Sequence, residues 1–385
     1  MTTTTSASLN TLFPGATIGV VGGGQLGRYF VLEARRLGYH TWVLDPDPQA
    51  PAMQIAEHAE AAAFDDTAAL ERMAKACDAV TIEFENVPAA SLDLLAKFTR
   101  VAPSSDAVHI AQDRVREKVT AREAGLQPVP FAVIESSDDI DAALNSVTLP
   151  AILKTTQLGY DGKGQIVCET ADELRAAFDK VNNVPCVLEQ RINLQRELSV
   201  VLARGFDGVI ACFPVAENVH VNGILHTSLV PSACDPELQK NAELLASKLA
   251  NHIDYHGVMA VEFFCDEYDQ LLFNEMAPRP HNSGHYTLDA SISSQFEQQL
   301  RVLCALPLGD TVSLSPVVML NLLGDSWAAG EPDWQALMAS SSAKLHLYGK
   351  TSARPARKMG HVNCLADTPA AAMKLAIDLS KYLDS

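Results

Sequence analysis

The chain predicts an α/β protein of two or three domains that opens on a parallel sheet, and two observations carry that prediction. A buried-strand run, Thr17-Ile-Gly-Val-Val21, passes directly into Gly22-Gly-Gly-Gln-Leu-Gly27 and then a helical pattern through Leu37. A glycine loop joining a strand to a helix is the first turn of a β/α/β unit. The alternation then repeats, with a strand from His40 to Leu44 that ends at Asp45, a strand Ala79-Val-Thr-Ile-Glu83, and a helix from about Ala89 to Phe98. Strands alternating with helical patterns indicate an open parallel sheet. A length of 385 residues allows about two or three domains at ~150 residues each.

Beyond this sheet, Asp113 to Gly125 reads as a helix closed by its glycine, and Pro128 and Pro130 behind it mark a boundary. A smaller α/β unit runs from there to about Leu188, with the strand Ala151-Ile-Leu-Lys154 and the loop Gly159-Tyr-Asp-Gly-Lys-Gly-Gln165. From Glu189 to about Leu306 the pattern gives strands, a helix from Glu237 to Ala250, and an acidic hairpin. The tail carries strands near Val317 to Leu323 and Ala343 to Tyr348, a basic stretch, and a last helix from Pro369. The expected division is 1–112, 113–188 and 189–385, with an extension from about 310.

Composition narrows the function. The chain is 48% apolar and 20% charged, ordinary for a globular protein, and its net charge of −18 argues against nucleic acid or an anionic membrane as partner. No apolar run reaches the roughly 18–20 residues of a membrane span. Eight cysteines show no C-x-x-C and no metal-finger spacing, which suits free thiols in a reducing cytoplasm. The threonine-rich start lacks the basic and apolar regions of a signal peptide, so a cytoplasmic location is expected.

The most informative pair is Glu262 and Glu275. Val258–Phe264 and Leu271–Met276 are strand-like runs, and a hairpin with Glu267 to Gln270 as its loop sets Glu262 across from Glu275. Opposed side chains on antiparallel strands have Cβ atoms about 4.5–5.5 Å apart, and like charges there repel. A cation between them would relieve this, and Mg²⁺ takes one or two carboxylates and completes its shell with water and phosphates. A solvated hairpin whose acids splay apart is the plainer alternative.

Other motifs read two ways. Gly22-x-Gly24-x-x-Gly27 with Asp45 matches the dinucleotide fingerprint, although any phosphate would suit a glycine loop before a helix. Gly159 to Gln165 can be a flap closing over phosphates or a plain turn at Asp161-Gly162. Lys154 on the strand before it favours the flap, since a lysine among Ala151, Ile152 and Leu153 needs an anion. His281-x-x-x-His285 has a zinc-like spacing, but a loop rich in Pro and Gly does not present both on one helical face. Lys350, Arg354, Arg357 and Lys358 form either a solvated charge run or a phosphate pocket.

Taken in order, these motifs resemble the ATP-grasp superfamily of carboxylate–amine ligases, and within it the 5-(carboxyamino)imidazole ribonucleotide synthase family of purine (IMP) biosynthesis. The resemblance rests on Gly23-Gly-Gln-Leu-Gly27, Glu83-Phe-Glu-Asn86, Gly159 to Gln165, Pro278-Arg-Pro-His-Asn-Ser-Gly-His285 and Arg357-Lys-x-Gly-His361. It implies an ATP-grasp fold with an N-terminal Rossmann-like (pre-ATP-grasp) domain, a central flap domain and a C-terminal α+β domain. It implies a homodimeric ligase in which ATP phosphorylates bicarbonate to carboxyphosphate, which carboxylates the exocyclic amine of 5-aminoimidazole ribonucleotide. Carried over, Arg114 and Lys154 would contact phosphates under the flap of Gly159, Tyr160, Asp161, Gly162, Lys163, Gly164 and Gln165. Glu189, Gln190, Arg191 and Ile192 would hold adenine, although Arg191 has no evident role. Glu197, with His220 nearby, would take the ribose. Asn274 would stand beside Glu262 and Glu275, which would hold Mg²⁺ (or Mn²⁺). Glu83, Tyr160, Arg279, His281, Asn282, Ser283, Lys350 and Arg357 would bind the ribonucleotide, with Asp161, Arg279, His281 and Lys350 catalytic. Two relatives in chemistry or motif stay open: a formate-dependent glycinamide ribonucleotide transformylase, which would carry His-Asp-Thr-Gly in place of His281-Asn-Ser-Gly, and an NAD-binding Rossmann protein. Biotin carboxylase is disfavoured because Met373-Lys374 lies in a helical alanine-rich run.

Overall fold

Ile18, Val20 and Val21 are fully buried, and the strand that carries them, Thr17–Val21, has neighbours on both sides. The computed structural model describes residues 9–157, 164–328 and 330–383. Thr17–Val21 is the middle of a five-stranded parallel sheet in the order His58–Ala61, His40–Asp45, Thr17–Val21, Ala79–Ile82, Arg100–Val101. A strand buried on both faces is what a near-continuous apolar run produces. The strand Ala79–Ile82 stops one residue short of the expected end, so Glu83 emerges at its C-terminal edge, where open parallel sheets bind ligands. Helix Gln25–Arg36 covers this sheet with Tyr29 and Phe30, and the same cluster takes in Phe296, Leu300 and Leu303 of helix Gln295–Leu303.

A second, antiparallel sheet of four strands runs Phe131–Ile134, Cys186–Gln190, Ala151–Thr155, Gln165–Cys168. Helices Ile140–Ser146 and Ala171–Lys180 share its core through Ile140, Leu174 and Phe178. The expected helix after Asp113 is Arg114–Glu123, and Asp113 caps it by accepting from the Val115 and Arg116 amides. Gly125 follows at φ +84°, the left-handed conformation a helix stop favours.

The third sheet is antiparallel and has nine strands, among them Leu194–Arg204, Ala216–Val221, Ile224–Val230, Gly257–Asp266 and Leu271–Ala277. The tail strands Val317–Leu323, Ala343–Leu347 and Lys358–Leu365 continue it, because Ile224–Val230 pairs with Val317–Leu323. The connection between Ala343–Leu347 and Lys358–Leu365 carries the basic residues Lys350, Arg354 and Arg357.

Glu262 pairs with Glu275 as expected, but by a different path. The first paired residues are Cys265 and Leu271, so the loop is Asp266 to Gln270, one residue longer than the hairpin read from sequence. A bulge beyond Phe263 and Phe273 inserts Asn274 and restores the register. All eight cysteines are free, as expected. Among the described residues no helix is long and apolar enough to cross a membrane.

Candidate active site

The three sheets enclose a cavity of about 700 Å³. Its floor is the third sheet, on which Ser199 lies opposite Glu262, and Glu262 opposite Glu275. Burial and the facing Glu275 push the Glu262 carboxyl up to about 7. His281 Nε2 lies 3.5 Å from Glu262 Oε1, and Arg114 Nη1 lies 3.5 Å from Glu275 Oε2. Asn274 and Glu197 also line the cavity. Glu197 Oε2 is 2.5 Å from His220 Nδ1, and this contact overcomes burial to raise the imidazole pKa. Among the described residues no group of three or more His, Cys, Asp or Glu is arranged to hold a metal ion. Two carboxylates suit a cation that takes its other ligands from water and phosphate. The His281–His285 pair does not form a zinc site: His281 turns toward Glu262, whereas His285 is fully buried and stacks on His361 at 4.7 Å.

Helix Arg114–Glu123 supplies one wall. Residues three and four apart share a helix face, and here Arg114, Glu117 and Lys118 point together toward the strand Leu271–Ala277. Glu117 accepts from the Met276 amide, and Lys118 donates to the Asn274 carbonyl at 3.2 Å. Burial, with Glu275 nearby, pushes Glu117 up to about 8. Lys154, expected to need an anion, has one inside the protein. Its Nζ lies 2.7 Å from Glu189 Oε2, and Lys118 Nζ lies 3.1 Å from the other oxygen. Lys154 pairs with Val187 and Ile152 with Glu189, so the lysine and the acid are diagonal neighbours on one face. Burial opposes ionisation of Glu189, but the two lysines outweigh it and hold the carboxyl down at about 2.

The opposite wall comes from the loop after the acidic strand and from the tail. Arg279 is ion-paired with Glu85, a residue of the Glu83-Phe-Glu-Asn86 motif for which no separate role was expected. Asn282 lines the cavity, and neither its Oδ1 nor its Nδ2 has a partner among the described residues, which is costly for a buried amide unless a ligand meets it. Lys350, Arg357 and Lys358 close this side. Lys350 donates to the Lys358 carbonyl at 2.7 Å, and Arg357 donates to the Ser352 carbonyl and hydroxyl at 2.8 Å.

Several expected site residues lie elsewhere. Gly159, Tyr160, Asp161, Gly162 and Lys163 fall outside the described residues; Gly164 is described, and Gln165 reaches the cavity. The Glu189 side chain is occupied by lysines and does not line the cavity, nor do Gln190, Arg191 and Ile192. Arg191 pairs at the surface with Glu169 at 3.4 Å. Ser283 is fully buried behind His281. The first glycine loop is closed by its own acids: Gly23 N–H donates to Asp45, and Gly24 and Gly27 N–H donate to Glu83. A Cβ at Gly24 would lie 2.6 Å from Glu83 Oε1, so glycine here admits a carboxylate of the protein itself. The amides a dinucleotide would need are thus engaged. Glu117, Lys118 and Glu85 were missed; the only signal for the first two was their shared helix face with Arg114.

Three family models match in chain order: a ribonucleotide synthetase preATP-grasp domain over 15–112, an ATP-grasp domain over 119–296, and a phosphoribosylaminoimidazole carboxylase C-terminal domain over 317–374. The N5-carboxyaminoimidazole ribonucleotide synthase of Brucella melitensis is 45% identical, over 91% of this chain and 96% of the relative. That of Bacillus subtilis is 41% identical, over 91% and 92%. An ADP complex of an N5-carboxyaminoimidazole ribonucleotide synthetase superposes with a TM-score of 0.92 at 40% identity, covering 96% of this chain and 98% of that one. The Aspergillus clavatus enzyme with ADP and 5-aminoimidazole ribonucleotide superposes at 0.88 with 29% identity, covering 97% and 100%. With its fold, its acidic pair and its three matched segments in one order, the chain belongs to the N5-carboxyaminoimidazole ribonucleotide synthase family of ATP-grasp ligases.

Proposed function

We propose that this chain uses ATP and bicarbonate to carboxylate the exocyclic amine of 5-aminoimidazole ribonucleotide through carboxyphosphate. The products would be 5-(carboxyamino)imidazole ribonucleotide, ADP and phosphate. The observation that carries this reading is the opposed Glu262–Glu275 pair, flanked by Arg114 and Lys154 on one side and by Arg279, His281 and Lys350 on the other, around one cavity. Relatives of the same name, and a solved relative holding ADP and 5-aminoimidazole ribonucleotide, support it.

Phosphoryl transfer depends chiefly on positioning and charge neutralisation. Glu262 and Glu275 fit Mg²⁺ or Mn²⁺, which when bound with the nucleotide would offset its phosphate charge. Lys154 and Arg114 would hold the transferred phosphoryl group and its neighbours. Arg279 would meet the anionic carboxyl donor, and its ion pair with Glu85 fixes the guanidinium. Asn282, whose amide has no partner among the described residues, would contact the imidazole ribonucleotide, and Lys350 and Arg357 its phosphate. Carboxyphosphate is destroyed by water, so cover is needed, and the loop containing Tyr160, Asp161 and Lys163 would provide it. The adenine contact of Glu189 to Ile192 would come from the backbone, since the Glu189 carboxylate is committed to lysines. We also propose the division 1–112, 113–188 and 189–385, a cytoplasmic location and a homodimer.

Phosphate release tests the reading. It should require ATP, bicarbonate and Mg²⁺ and rise strongly with 5-aminoimidazole ribonucleotide. Stimulation by glycinamide ribonucleotide plus formate instead would assign the transformylase reaction.

A further inference from the structure

One face of the third sheet carries a row of buried polar side chains that the proposed chemistry does not use: Ser199, Asn218 and Ser228, at most 5% exposed. They stand on three neighbouring strands. Asn218 is opposite both Glu197 and Ser228, and Ser199 is opposite Glu262. Buried polar groups persist where their hydrogen bonds are complete, and these four bonds run in one line. Ser228 Oγ–H donates to Asn218 Oδ1 at 2.7 Å, Asn218 Nδ2–H to Ser199 Oγ at 2.9 Å, and Ser199 Oγ–H to Ser283 Oγ at 2.8 Å. Ser283 Oγ is 2.9 Å from His281 Nδ1.

The direction of this line is fixed from its far end. The Ser283 backbone N–H points at His281 Nδ1 from 3.3 Å, and His281 caps the short helix Asn282–Gly284 in this way. A backbone N–H can only donate, so Nδ1 carries no proton. The Ser283 hydroxyl then donates its one proton to Nδ1 and must accept from Ser199. Ser199, having given its proton, must accept from an amide N–H, which orients Asn218 and leaves its oxygen for Ser228. The ring proton is therefore on Nε2, the nitrogen that faces Glu262 at 3.5 Å.

We propose that Ser228, Asn218, Ser199 and Ser283 are positioning residues that hold His281 as the Nε2–H tautomer, so that it gives a hydrogen bond to the reacting carboxyl group and transfers no proton. The orientation of an imidazole is set by the bond its second nitrogen makes, and here that bond is backed by a chain four residues deep. The role assigned to His281 rests on the activity proposed above; the tautomer does not.

Asn218→Asp tests the chain, because it keeps the shape and reverses the polarity. A carboxylate accepts from both Ser228 and Ser199, so Ser199 can no longer donate to Ser283. The nitrogen correlation spectrum of the ligand-free, ¹⁵N-histidine-labelled protein, with His281 assigned by its loss in His281→Gln, should show the proton on Nε2 in the wild type. In Asn218→Asp it should shift toward Nδ1. Loss of a preorganised donor typically costs about 10²–10³ in kcat, and Asn218→Asp should lower kcat on that scale with the KM for ATP unchanged. His281→Gln, whose amide N–H stands near the position of Nε2–H, should keep more activity than His281→Asn. Should Asn218→Asp fail to fold, Ser199→Ala, expected to lower kcat by a smaller factor, and the wild-type spectrum still decide. A wild-type proton on Nδ1 overturns the proposal, as does a wild-type kcat in Asn218→Asp or, where that variant does not fold, in Ser199→Ala. An inactive wild type with its proton on Nε2 would refute only the proposed reaction.

Discussion

Lys154 and Glu189 are joined at 2.7 Å in a site almost closed to water, and Lys118 approaches the same carboxylate from the helix side at 3.1 Å. One acid thus serves two buried cations. Removing one partner of a buried ion pair costs roughly 3–5 kcal/mol because the other charge is left uncompensated. Glu189→Gln keeps the volume and is expected to lose stability on that scale, read from urea unfolding. A loss below about 1 kcal/mol, the range of exposed pairs, would mean that water or another anion already balances the lysines.

Glu275→Gln should lower kcat by about 10²–10³ at saturating Mg²⁺, the usual scale for a lost electrostatic contact in a reacting site. Glu275 is repelled by Glu262 and attracted by Arg114. These oppose each other, so the stability of the ligand-free protein should change little. A near-normal kcat would remove Glu275 from the metal site.

Arg357→Ala should raise the KM for the ribonucleotide by an amount equivalent to roughly 1.5–3 kcal/mol, the value of a charged hydrogen bond. Binding of ATP should barely respond. Arg357→Lys should recover part of the loss, since lysine offers a point charge where arginine offers a fork. Titrating each substrate against both variants separates the effects. Weakened ATP binding with an unchanged ribonucleotide KM would assign the tail to the nucleotide.

Glu117 gives the ligand-free protein a pH dependence. Burial holds its proton up to about 8, whereas the unfolded chain releases it near about 4.3. Between those values the folded state carries the extra proton, so this contribution to stability is full below the window and is lost as pH rises through it. Glu117→Gln cannot titrate and keeps an oxygen for the Met276 amide. Its stability relative to wild type, read from urea unfolding, should therefore improve with pH, by at most about 1.4 kcal/mol per unit. A constant difference across the window would show that Glu117 ionises normally.

The acidic pair was legible because register can be counted along a hairpin. The count succeeded through two compensating departures, a loop longer by one residue and a bulge at Asn274. The first sheet was legible because an apolar run followed by a glycine loop is local information. What the Gly24 amide binds was not, since its partner Glu83 lies 59 residues away. Glu117 and Lys118 stayed hidden because their burial depends on the strand Leu271–Ala277, more than a hundred residues later in the chain. Nothing local marks Ser199, Asn218 and Ser228 in the sequence, and only the sheet order brings them into line with His281.

The unbroken third sheet also constrains motion. Glu262 on the hairpin and Lys358 at the start of a tail strand are carried by one hydrogen-bonded slab, so their separation cannot change without shearing strands apart. Lys154 rides on a different sheet. A hinge between these two sheets would therefore widen or narrow the gap from Lys154 to the carboxylates while the spacing of the acidic pair from the tail stays fixed, like a jaw closing on a bench.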